Sequence, residues 1–101
     1  MRSNLDSLEK IYSEVSAQNQ DLLRRNQRAA QLLELGNLLY DLKRDPTGAK
    51  RAYEECLDLR SDIAPAWNNL GVIVYLHEKN SREAQNCFHK ARELDPHDMG
   101  I

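Results

Sequence analysis

Apolar residues along this chain recur at steps of three and four. Trp67, Leu70, Gly71, Val74 and Tyr75 form one such series, and Ala84, Cys87, Phe88, Ala91 and Leu94 form the next. Each is the stripe that one helix face turns toward a core. Asn80, with Glu83 three residues on, predicts the start of the second helix, and Asp95-Pro96 predicts its end. Upstream, Leu32, Leu35, Gly36 and Tyr40 make a third series, and Ala49, Tyr53, Cys56 and Leu59 a fourth. Asp45-Pro46 opens the fourth, with Pro at the first helical position. The first part of the chain is also helical in pattern: Leu5 to Leu35 contains neither Gly nor Pro.

The last four series are two copies of one pattern. A shift of 35 residues places Leu32 on Trp67, Leu35 on Leu70, Gly36 on Gly71 and Tyr40 on Tyr75. It also places Ala49 on Ala84, Tyr53 on Phe88, Cys56 on Ala91 and Leu59 on Leu94. The small residues let two helices of a hairpin approach, and the aromatics fill the space beside them. Asn37 falls on Val72, so surface positions are less alike than packing positions.

This pattern resembles the tetratricopeptide repeat. Trp67-x2-Leu70-Gly71, Ala84-x3-Phe88-x2-Ala91 and Pro96 carry the resemblance in the second copy; Leu35-Gly36, Ala49-x3-Tyr53 and Cys56 carry it in the first. Leu32 stands where Trp is typical and Ser61 where Pro is typical, and each copy has one residue more than the usual 34, between the Gly and the Ala. The implied architecture is all-α: two tetratricopeptide-like hairpins, residues 29–63 and 64–98, preceded by a long amphipathic helix over residues 1–28 and followed by a short tail, 99–101. A simple four-helix antiparallel bundle is the plainer alternative that periodicity alone permits.

Residues 1–28 align with neither copy. As heptads, Leu5, Tyr12, Asn19 and Asn26 share one seam position, and Leu8, Val15, Leu22 and Ala29 the other. Ile11 and Leu23 widen the seam. Three readings follow. The helix joins chains as a coiled coil through Leu5, Leu8, Tyr12, Val15, Asn19 and Leu22; it folds back over its own repeats; or it is a solvated arm. Terminal repeats generally need a polar cap. No capping helix follows Pro96, so Ala84, Cys87 and Ala91 are expected to need a further neighbour.

Composition narrows the function. The 101 residues carry 14 Lys plus Arg against 16 Asp plus Glu, and no segment is basic enough for a nucleic-acid footprint. No apolar run approaches the length of a membrane span. Two Cys without a CxxC pair suggest free thiols in a reducing compartment, and a cytoplasmic location is expected. His77, His89 and His97 have no metal-binding spacing, and there is no Gly-rich phosphate loop. No catalytic residue, metal or cofactor is expected.

What remains is a surface for another protein or peptide. The resemblance implies that the first helix of each repeat lines a groove. That register points to Leu33, Glu34, Asn37, Tyr40 and Asp41, and to Asn68, Asn69, Val72, Tyr75 and Leu76. Asn can donate to and accept from a peptide backbone, and Tyr offers a rigid contact with a polar tip. The same Asn residues could be plain helix surface, and the Tyr residues could belong to the inter-helix core. Some family members grip a chaperone's C-terminal carboxylate with Asn and Lys/Arg spread over three repeats. Asn37 and Asn69 match two of those positions, but Leu33 stands where the first Lys would be, so that ligand is not expected. The expected function is a non-catalytic interaction module that self-associates through its N-terminal helix. The alternative is a structural homo-oligomer whose groove is filled by that helix.

Overall fold

The computed structural model describes residues 2–96, with side chains from residue 6 onward. The side chain of Leu5 and the predicted tail 99–101 lie outside the described residues, as do His97 and the last two positions of the second predicted repeat. Four helices follow one another: α1 (Arg2–Asp41), α2 (Pro46–Leu59), α3 (Ala64–His77) and α4 (Ser81–Leu94). The fold is all-α, with α1 pairing with α2, α3 with α4, and α2 joining the two hairpins by packing on α3.

The helix starts follow local chemistry. The Asp45 carboxylate accepts from the Gly48 N–H at 2.9 Å, with Pro46 at the first turn of α2. Asn80 accepts from the Glu83 N–H at 3.2 Å and opens α4 in the same way. Each satisfies a backbone donor that the first turn cannot. Both hairpin turns contain a residue in the left-handed region, Arg44 (φ 55°) and Lys79 (φ 56°), at equivalent positions of the two repeats. These turns lie in the stretch that holds the extra residue. Between the hairpins, Arg60 and Asp62 pair at 2.8 Å, and the Trp67 indole N–H donates to the Ser61 carbonyl at 2.8 Å.

One core runs through both hairpins. Ala29, Leu32, Ala49, Tyr53 and Cys56 supply it from the first, and Leu70, Ile73, Val74, Ala84 and Cys87 from the second. Glycine sets the spacing within each hairpin. A Cβ at Gly36 would lie 2.5 Å from Tyr53 Cε1, and one at Gly71 would lie 2.7 Å from Phe88 Cε1. Both thiols are free and buried.

Three expectations change. Tyr75, assigned to the buried face of α3, is exposed. Leu35 is exposed although its counterpart Leu70 is buried: α3 packs on α2 of the other hairpin as well as on α4, whereas α1 packs chiefly on α2. On the last helix Leu94, read as part of the buried stripe, is 38% exposed. Ala84, Cys87 and Ala91 of that helix are buried, while Arg82, Gln85, Asn86, His89, Arg92 and Glu93 point outward.

The N-terminal segment is continuous with the first repeat, with no break at residue 28: α1 is a single helix of 40 residues. Its side chains from Asp6 to Arg25 are exposed, apart from half-buried Ser16, and burial begins at Asn26 and Ala29. The molecule measures 66 × 30 × 21 Å because this arm extends past α2. The arm does not fold back over its own repeats. A straight helix would have to break to do so.

Candidate functional site

The site forms where α1, α2 and α3 meet, and Gly36 makes it possible. Without a side chain there, the Tyr53 ring of α2 lies across α1, and its hydroxyl donates to Asn37 Oδ1 at 2.5 Å. The same oxygen accepts from Asn69 Nδ2 of α3 at 3.0 Å. A single amide oxygen thus ties together three helices and both repeats. Burial pushes the Tyr53 hydroxyl above the ordinary tyrosine range, since a phenolate would lose its water there.

A concave cavity of about 190 Å³ opens above this knot. Asn37, Tyr40, Asp41, Tyr53, Asn69, Val72 and Ile73 line it. Tyr40 reaches across to α3, where its hydroxyl lies 3.1 Å from His77 Nε2 and the two rings meet edge to face at 5.6 Å. The arrangement is suited to hydrogen bonding. Asn37 has its oxygen engaged within the protein, so its amide N–H groups are what it can offer a ligand, while Asn69 retains its oxygen. Asp41, exposed at the edge, adds a carboxylate.

Of the ten residues expected in the groove, the cavity gathers Asn37, Tyr40, Asp41, Asn69 and Val72. It does not gather the rest. Leu33 is half-buried against the core, Asn68 is half-buried, and Glu34, Tyr75 and Leu76 are exposed outside it. Tyr53 and Ile73 are additions: Tyr53 read as a packing residue, and Ile73 belonged to none of the apolar series. A signal for Tyr53 was present: Asn37 and Tyr53 are replaced together by Val72 and Phe88 in the second repeat, a polar pair against an apolar one.

A larger and shallower cavity, about 620 Å³, lies among α2, α3 and α4. Its apolar floor includes Leu57, Trp67 and Leu70, with Glu54, Asp58, Glu83 and Lys90 around them. No groove expectation pointed there. Among the described residues, no helix is long and apolar enough to cross a membrane, and no group of three or more His, Cys, Asp or Glu could hold a metal ion.

Comparison with known proteins agrees with this architecture. Residues 64–98 match the family model described as tetratricopeptide repeat. Over 70 residues, 69% of the chain, it is 31% identical to Protein O-mannosyl-transferase TMTC3 of Homo sapiens, and equally so to that of Mus musculus. The chain spans only 8% of those relatives' length. No solved structure matches it. With the paired hairpins, the glycine-to-aromatic contacts in both and the matched second repeat, the chain belongs to the tetratricopeptide-repeat family.

Proposed function

We propose that the chain binds an extended peptide or a partner helix through the α1–α3 groove and self-associates through the α1 arm. Tetratricopeptide repeats are in general non-catalytic protein–protein interaction modules. The transferase activity in the relatives' name belongs to proteins that this chain matches over a small fraction of their length. The observation that carries the groove reading is the Tyr53–Asn37–Asn69 knot beneath an open cavity. It holds two amide groups, on α1 and α3, tied in place by a hydroxyl from α2, so that they can meet a peptide backbone without first being ordered. We place the protein in the cytoplasm, where its free thiols suit a reducing environment.

A random peptide library selected on the full chain tests the groove. Selected peptides are expected to lose about tenfold in affinity, equivalent to about 1.4 kcal/mol, when Asn69 becomes Ala or Tyr40 becomes Phe. Peptides indifferent to both changes would place binding elsewhere, with the cavity beside Trp67 as the next surface to examine.

The second reading, a structural oligomer whose groove is filled by the N-terminal helix, is favoured by the uncovered apolar stripe on the arm. Because α1 is continuous, the helix filling the groove would come from another copy. In that case Asn69→Ala would weaken assembly as well as peptide binding.

A further inference from the structure

Helices α2 and α4 both pack on α3 and make little contact with each other. The gap between them is the cavity of about 620 Å³, which shares no lining residue with the groove at Asn37 and Asn69. Sites that take ligands commonly measure about 300–1,000 Å³. Leu57 and Leu70, 8% and 6% exposed, form an apolar floor with Trp67. The Trp67 N–H already donates to the Ser61 carbonyl at 2.8 Å, so what this ring offers a ligand is its π surface.

The walls carry the charge. Glu54 and Asp58 stand one helix turn apart on α2, and Glu83 and Lys90 line the α4 side. Three carboxylates are thus set against one ammonium group. Glu54 and Asp58 form no hydrogen bond or ion pair through their carboxylates among the described residues. Lys50, which feels both Glu54 and Glu83, is held by Glu78 at 2.5 Å instead.

These charges decide what fills the cavity. An uncharged apolar segment would strip water from the carboxylates and return nothing for it. An acidic segment would add repulsion. A metal ion needs several ligands at one point, and no three such groups converge among the described residues. A cationic side chain on an apolar stem meets both the floor and the walls. Arginine suits them better than lysine, because its planar guanidinium stacks on an indole and meets a carboxylate through two N–H groups at once.

We propose that the cavity between α2 and α4 is a second docking site, separate from the groove, for a partner peptide that inserts an arginine flanked by aliphatic residues. The guanidinium lies over Trp67 with its charge among Glu54, Asp58 and Glu83, and the aliphatic neighbours rest on Leu57 and Leu70. Lys90 opposes this attraction.

The chain's single tryptophan makes the site its own reporter. The full chain is titrated with acetyl-Leu-Arg-Leu-amide, and with the same peptide carrying citrulline, an uncharged isostere of arginine. Titration to about 10 mM covers millimolar affinity. The arginine peptide is expected to change Trp67 fluorescence saturably and to bind at least about fivefold more tightly than the citrulline peptide. The double variant Glu54→Gln/Asp58→Asn, at two exposed positions, is expected to remove that advantage. Lys90→Gln is expected to raise affinity, and Asn69→Ala in the groove to leave it unchanged. Equal binding of the two peptides would overturn the choice of arginine. Binding that is lost in Asn69→Ala and kept in the double variant would place the peptide in the groove and overturn the second site. The absence of saturable change, both in Trp67 fluorescence and in the backbone amide shifts of α2 and α4, would overturn the proposal outright.

Discussion

The two halves of α1 belong to one helix and share one heptad pattern, yet only the second is packed. Leu32 is 3% exposed and Leu22 is 57% exposed, although both are leucines on the apolar side of the same helix. The difference lies in what each half meets. From Asn26 onward α2 lies alongside, with Tyr53 and Cys56 filling the space between. Before it, α1 has passed the end of a partner that is only 14 residues long. Helical periodicity therefore reports a face able to be buried, and a second element decides whether it is.

Identical substitutions in the two halves should sharpen this contrast most. Leu32→Ala is expected to cost about 2–5 kcal/mol, the range for a buried leucine. Leu22→Ala is expected to shift the unfolding of the repeats by less than about 0.5 kcal/mol in dilute solution. Urea denaturation followed by the fluorescence of Trp67, the chain's single tryptophan, reads both. Equal losses would mean that the arm is packed against something within one chain.

Next come the helix-contact glycines Gly36 and Gly71, which have no counterpart in the arm. Gly71→Ala would press a methyl group against Phe88 and Cys87, and Gly36→Ala would press one against Tyr53. Each is expected to destabilise by about 1–3 kcal/mol, the range for overpacking. In the arm, Ser16→Ala should be close to neutral by the same assay. Tolerance of alanine at both glycines would show that the hairpins separate more easily than their contacts indicate.

The buried titratable groups give a pH test. Burial raises Tyr53, Cys56 and Cys87, so the folded chain keeps their protons after the unfolded chain has released them. With fewer protons bound in the unfolded state, stability falls as pH rises. It should be full below about 8.5, the ordinary thiol value, and decline further above about 10, the ordinary tyrosine value. Tyr53→Phe should cost about 1 kcal/mol at neutral pH through the lost hydrogen bond, and should flatten the limb above pH 10. Urea midpoints from neutral to about pH 11 measure both effects. A steep upper limb in the Phe variant would assign it to other groups.

The smallest expected effect is a gain. Lys79 holds a left-handed backbone that costs a residue with a Cβ about 1 kcal/mol. Lys79→Gly should recover up to that amount, less the added entropy of the unfolded chain. A loss of stability would indicate that the Lys79 side chain makes a compensating contact.

The hairpins were legible in the sequence because each signal there is local. Caps sit three residues from the N–H groups they accept from, and glycine stands one helix turn from the next packing residue. The shift of 35 residues doubled each signal. The candidate site was half legible. Asn37 and Asn69 could be placed from the repeat register, but the bond between them joins residues 32 apart, through an oxygen shared with Tyr53. Tyr53 read as packing because an aromatic at that position fills the hairpin, and its hydroxyl added a function that spacing could not show. Tyr75 and Leu35 were misjudged for the converse reason: a stripe does not reveal which of its edges a neighbour reaches.

The order of the helices, their caps, the spacing of each hairpin and the family were thus set by the sequence itself. These depend on backbone hydrogen bonds and side-chain volumes acting over a few residues. The tertiary structure alone decided that the first helix runs unbroken into the repeats, that α2 covers only part of it, and that one amide oxygen joins three helices. These depend on where separate helices end relative to one another, which is a property of packing in space and not of any single stretch of chain.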